Sequence, residues 1–184
     1  MHVLALSGSL RRDSHNTLLL RAAEELLEPG DTLELWEGLR DVPAYDQDDD
    51  VEPVHPAVAA LRAAVAGADA VLIATPEYNS SLPGALKNAL DWASRPLATN
   101  VFRSKPVAVI GSSVGVFGAV WAQAELRKVL AAMGARVTDV ELAVGHATEK
   151  LDAHGEVEDE GLRAELREAL DTLLAETAPV AAAA

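Results

Sequence analysis

Apolar and polar positions along the chain follow two alternating rhythms. Residues 2–6, HVLAL, form a short apolar run without polar alternation, the pattern of a strand covered on both faces. Over 16–27 the apolar residues Leu18, Leu19, Ala22, Ala23, Leu26 and Leu27 recur at helical spacing, and Pro29-Gly30 stops the helix. A weaker strand is expected at 32–36, followed by a polar loop to residue 56 that carries Asp46, Asp48, Asp49 and Asp50. A helix at 57–66 leads into the strongest strand, DAVLIAT at 69–75, and Pro83 stands at the favoured first turn of a helix over 83–94. A strand at 106–111, a long helix at 119–133 and a strand at 136–142 follow. Leu162, Leu166, Leu170, Leu173 and Leu174 then mark a closing amphipathic helix over 158–176, beyond which the last alanines are expected to fray.

Strands alternating with helices imply parallel pairing and right-handed crossovers that lay helices on both faces of a sheet. The expectation is an α/β, doubly wound five-stranded parallel sheet. No linker or repeat interrupts the pattern, so residues 1–184 read as a single domain. Ligands of such folds sit outside the carboxyl ends of the strands, near the switch point. Three loops qualify, after Leu6, after Thr75 and after Ile110.

Composition narrows the class. With 49% apolar residues and 184 residues in all, the chain can bury about 70% of its unfolded surface. No apolar run approaches the roughly 20 residues needed to cross a bilayer, and no basic region with an apolar stretch and cleavage site opens the chain. A cytoplasmic protein is expected. There is no cysteine, which removes disulfides, thiol nucleophiles and thiolate metal sites, so any redox chemistry must come from a cofactor. A net charge of −14 argues against nucleic-acid and anionic-membrane partners, which are held through clustered Lys and Arg.

That charge makes the first loop stand out. Ser7, Gly8, Ser9, Arg11, Ser14, Asn16 and Thr17 lie directly ahead of a helix, where unpaired N–H groups and a guanidinium make an anion cradle. An ordinary turn in which Ser14 or Asn16 caps the helix fits the same residues. The second loop, TPEYNSSLPGALKNALDW from Thr75 to Trp92, supplies a rigid proline, an acceptor, an aromatic face and an amide in Pro76, Glu77, Tyr78 and Asn79. Those groups suit a planar heterocycle with polar edges, while a tyrosine plugging the core is the plainer alternative. The third loop, GSSVGVFG, contains Ser112 and Gly115 and permits either close approach of a ligand or tight packing.

Taken together, SGSLRRDSHNT, PEYNSSLPGALKNALDW and GSSVGVFGAVWAQAELRKVL resemble the NADPH-dependent FMN reductases, the flavodoxin-like group that includes bacterial chromate, quinone and azo-dye reductases. The resemblance implies a flavodoxin-like fold holding FMN, with its phosphate at Ser9, Arg11, Asn16 and Thr17. It places the ring and ribityl chain near Pro76, Glu77, Tyr78, Asn79 and Ser112. Ser14 and Gly115 complete the expected set of cofactor-binding residues. It also implies a homodimer or homotetramer with the flavin near the interface, NADPH or NADH as electron donor, and a small-molecule acceptor. The acceptor is a quinone, an azo compound, a metal oxyanion or free flavin. Trp121 departs from the pattern, standing where relatives often carry a small or basic residue.

Chemistry of other kinds finds less support. His2, His15, His55, His146 and His154 show no metal-ligand spacing, and the aspartates from Asp46 to Asp50 lack the glycine and distal glutamate of a calcium loop. Lys87 and Asp91 stand four apart on one helix with Arg95 a turn further on, a structural or interfacial pair. Trp92 and Trp121 fit the lining of a pocket or a subunit contact, with plain burial the first expectation for both. The leading expectation is an FMN-dependent NAD(P)H oxidoreductase in which the cofactor performs the chemistry, so no catalytic acid or base is named. A flavodoxin-like electron carrier without a nicotinamide site and a flavin-free binding module are the rivals.

Overall fold

In a computed structural model that describes residues 1–152, 155–157 and 159–177, β1 (His2–Ser7) lies between β2 (Thr32–Trp36) and β3 (Ala70–Thr75). Next to β3 runs β4 (Pro106–Ser112) and beyond it β5 (Arg136–Val137), and all pairings are parallel, in the order β2-β1-β3-β4-β5. The helices are α1 (His15–Glu25), α2 (Pro56–Gly67), α3 (Gly84–Ala93), α4 (Val120–Ala132), α5 (Ala147–Lys150) and α6 (Glu160–Ala175). Residue 158, where the last helix is expected to begin, and the terminal alanines lie outside the described residues, as does His154. Asp159 caps α6, accepting the Leu162 N–H at 3.0 Å.

Alternation along the strands divides the interior in two. Val3, Ala5, Ala70, Leu72, Ala108 and Ile110 face α1 and α6, whose Leu19, Leu20, Leu166 and Leu170 cover them. Leu4, Leu6, Val71, Ile73, Val107 and Val109 face the other way and are covered by Leu61 and Val65 of α2, Leu86 and Leu90 of α3, and Leu126 and Leu130 of α4. Because both faces are covered, the strand sequences read as unbroken apolar runs.

The fifth position of the sheet is filled in two pieces where a continuous strand over 136–142 is expected. β5 (Arg136–Val137) pairs with Pro106 and Val107, and β6 (Leu142–Val144) resumes against Ile110 to Ser112. Between them the guanidinium of Arg127, on α4, donates to the carbonyls of Thr138 at 2.8 Å and Val109 at 3.1 Å. A side chain thus satisfies backbone groups that a strand would otherwise pair. Desolvation at this site pulls the Arg127 pKa below its ordinary value.

Trp92 is buried on α3, and its indole N–H donates to the Pro43 carbonyl at 2.9 Å. Trp121 is 47% exposed, contrary to the interior position expected of it. It occupies the first turn of α4, whose buried residues are Ala122, Gln123, Leu126 and Leu130. Lys87 and Asp91 pair at 2.7 Å, whereas Arg95 turns to the Tyr45 hydroxyl at 3.1 Å. No helix among the described residues is long and apolar enough to cross a membrane.

Candidate functional site

The carboxyl ends of β1, β3 and β4 are tied together by two contacts between loops distant in sequence. Gly8 donates its N–H to the Ala74 carbonyl at 2.8 Å, and a Cβ there would stand 2.9 Å from Leu86 Cδ2 and 3.3 Å from Pro76 Cδ. A side chain there would push the Leu86 methyl aside, so glycine lets the first loop close on the second without displacing the core. Asn16, 3% exposed, makes the second tie. Its amide nitrogen donates to the Ser112 carbonyl at 3.0 Å while its Oδ1 accepts the Ser112 N–H at 2.9 Å.

The start of α1 is built from hydroxyls. Ser14, with extended backbone, caps the helix by accepting the Thr17 N–H at 3.3 Å, and the Leu18 N–H goes to the Ser14 carbonyl. The Thr17 hydroxyl donates to Ser7 Oγ at 2.8 Å, and Ser9 Oγ accepts the Arg11 N–H at 3.3 Å. Of the first-turn amides, those of His15 and Asn16 have no partner within a helix. They are the natural seat of an anion.

A cleft enclosing about 520 Å³ of space, open solvent included, lies where the three loops meet. Ser9, Arg11, Ser14 and Asn16 line it from the first loop, Pro76, Glu77 and Tyr78 from the second, and Ser112 from the third. Three residues of the expected set stand outside the lining. Thr17 faces an adjoining cleft, while Asn79 and Ser80 form the tip of a tight turn at φ of 53° and 60° between Tyr78 and Ser81, which exchange two backbone bonds. The Gly115 carbonyl accepts from the Ser113 hydroxyl and the His146 N–H, both at 3.1 Å. His15, Ser113 and Val114 line the cleft without having been anticipated. Metal-ligand spacing does not single out His15; its place directly after the helix cap Ser14 is the signal in the sequence that points to it.

Glu77 has a task that its loop sequence does not reveal. Its Oε2 accepts the N–H groups of Trp121 and Ala122, both at 3.1 Å, in the first turn of α4. Ala119 at the head of that helix has no side chain able to cap it, so a carboxylate from another loop supplies the acceptor and the favourable charge. Tyr78 is 51% exposed, which disposes of the alternative that it plugs the core.

Two buried polar atoms of cleft residues, Ser112 Oγ and His15 Nδ1, have no hydrogen-bond partner among the described residues. Buried groups of this kind ordinarily find one. Arg11 likewise has no carboxylate partner among the described ion pairs. A cation and two free amides at one point, with unmet hydroxyl and imidazole groups beside them, fit a phosphorylated, polyhydroxylated ligand such as FMN.

The family model described as NADPH-dependent FMN reductase matches residues 1–149. A 2-hydroxy-1,4-benzoquinone reductase of a Burkholderia species is 41% identical over 173 residues, covering 93% of each chain. An NAD(P)H-dependent FMN reductase of Pseudomonas aeruginosa is 40% identical, covering 93% of this chain and 92% of its own. Among solved structures, the flavoenzyme NAD(P)H:(acceptor) oxidoreductase FerB of Paracoccus denitrificans superposes with a TM-score of 0.83 at 37% identity, over 95% of this chain and 98% of that one. With the flavodoxin-like sheet and the cleft at its carboxyl end, these likenesses make the chain a member of the NADPH-dependent FMN reductase family.

Proposed function

We propose that the cleft holds FMN and that the protein passes electrons from NAD(P)H to a quinone. The unmet polar atoms of Ser112 and His15 carry this reading, because they call for a ligand with hydroxyl groups where the ribityl chain would lie. FMN held there would supply the two-electron hydride chemistry that links a nicotinamide donor to an acceptor. Arg11 and the amides of His15 and Asn16 hold the phosphate, with the hydroxyls of Ser9 and Ser14 as further donors. Thr17 and the Asn16 side chain brace the loop rather than touch the ligand, since both are occupied with protein partners. Pro76 and Tyr78 wall the ring, and Glu77 fixes that wall to α4.

Relatives named as quinone reductases support a quinone as acceptor; azo compounds, metal oxyanions and free flavin are further acceptors of the same chemistry. The protein acts in the cytoplasm as a homodimer or homotetramer. Anaerobic addition of NADPH to the purified, flavin-loaded protein should bleach the flavin absorbance, and a quinone should restore it. A yellow protein that neither NADPH nor NADH bleaches would be an electron carrier. A colourless protein that refuses added FMN would overturn the reading altogether.

A further inference from the structure

In a chain with 29 acidic and 15 basic residues, four of the basic ones, Arg11, Arg12, Arg21 and Arg40, wall a single cleft of about 630 Å³. It lies between α1, the end of β2 and the turn that follows. None of the four forms an ion pair with a described carboxylate. Guanidinium groups left unneutralised together in so acidic a chain repel one another unless an anion sits among them. Arg21 stands one helical turn beyond Thr17 on the same face of α1, and the Arg40 guanidinium donates to the Leu10 carbonyl at 2.6 Å, fixing the β2 side of the cleft to the first loop. Glu37 is the one carboxylate on the wall, outnumbered by the arginines.

This cleft shares Ser9 and Arg11 with the flavin cleft but not the amides of His15 and Asn16. It therefore adjoins the flavin phosphate seat without coinciding with it. It also has an apolar part. Trp36 ends β2 and is half-buried, and a Cβ at Gly38 would come within 2.6 Å of its ring, so the turn over 38–41 packs directly on the indole. An aromatic face beside arginines suits a purine carrying phosphate. In dinucleotide-binding Rossmann sheets the segment after the second strand meets the ribose of the adenosine, through a carboxylate that accepts from a hydroxyl or an arginine that takes a 2′-phosphate, and Glu37 and Arg40 stand at the corresponding place here.

We infer that the arginine-walled cleft binds the adenosine half of the reducing dinucleotide, Arg12 and Arg21 taking the 2′-phosphate that distinguishes NADPH from NADH. The inference rests on the neighbouring cleft being the flavin site. It gives the excess of arginine over carboxylate here a specific anion, a phosphomonoester with a charge of about −1.5 to −2 near pH 7. Glu37 accepts from a ribose hydroxyl.

Calorimetric titration of the FMN-loaded protein with adenosine 2′,5′-bisphosphate, ADP and AMP separates the possibilities. The bisphosphate should bind about 10-fold or more tightly than AMP, by one or more charge-assisted bonds. Arg12→Ala and Arg21→Ala should each reduce that preference about 3- to 10-fold, a figure lowered for exposed cations. The ratio of kcat/KM for NADPH to that for NADH should fall with it while the flavin absorbance stays in place. Equal affinity for the three nucleotides, tighter binding of ADP, a preference that survives both substitutions, or displacement of FMN by the nucleotide would each overturn the inference. Refusal of FMN by the protein defeats the flavin reading instead, and the same titration on the flavin-free protein still decides what the arginine cleft binds.

Discussion

Arg11 carries the electrostatic argument for the flavin phosphate, and its neighbours allow that role to be isolated. Its N–H is bound to Ser9 Oγ, so the loop backbone has an anchor independent of the guanidinium. Arg11→Ala should therefore leave the loop in place and remove only the cation. A charge-assisted bond is worth roughly 1.5–3 kcal/mol, so FMN should weaken about 10- to 150-fold, towards the lower end because Arg11 is exposed. Riboflavin, which shares the ring but lacks the anion, should bind almost as before. Titrating both ligands into the apoprotein checks this, and equal losses would mean that Arg11 supports the loop rather than the phosphate. Glu77 teaches the converse lesson. Its sequence context offers it as an acceptor for a ligand, yet Oε2 is occupied by two backbone amides, which leaves Oε1 alone for the ring.

Between elements, Asn16 is the tie that matters most, joining the head of α1 to the end of β4. Asn16→Ala would leave the N–H and C=O of Ser112 without partners in a buried site, at about 1–3 kcal/mol for each unsatisfied group. At about 2–4 °C per kcal/mol for a domain of this size, the melting temperature of the apoprotein should fall by about 4–24 °C, measurable by thermal scanning without any flavin. An unchanged melting temperature with weakened FMN would return the side chain to the phosphate. The four long strands and the main helices are legible in the sequence because local periodicity fixes them, and β3 and β4 are buried along their whole length. The split after β5 is not legible, because it depends on Arg127 reaching across from a helix. The same holds for Glu77, which serves amides 44 and 45 positions away, and for Asn16, whose partner is 96 positions distant. Residue types at a loop show what chemistry is present; which groups are already occupied depends on contacts that the pattern does not encode.

Across the whole molecule, the apolar surface around the cleft is where the proposed homo-oligomer can be tested. Val114, Val116, Phe117, Val120 and Trp121 are between 42% and 62% exposed, all within one segment, and Phe117 and Trp121 meet edge to face with centroids 4.9 Å apart. Gly118 holds that segment close to β6, its φ of +56° and the 2.3 Å that would separate a Cβ from the Ala143 carbonyl carbon admitting only glycine. A contiguous patch of large apolar side chains is rare on a monomer, and aromatic residues are enriched where subunits meet. Val114 belongs both to the patch and to the lining of the cleft, so a second copy seated here would also border the flavin. In a closed two-fold assembly the same patch serves both copies, which doubles the effect of one substitution. Light scattering at micromolar concentration should report a dimer or larger assembly. Trp121→Glu should shift it to monomer, because two carboxylates would enter the interface for each dimer. The monomer should also bind FMN more weakly, because Val114 lies in both the patch and the cleft lining. A wild-type protein that scatters as a clean monomer while retaining FMN would defeat this assignment, and the patch would then have to be explained by acceptor binding instead.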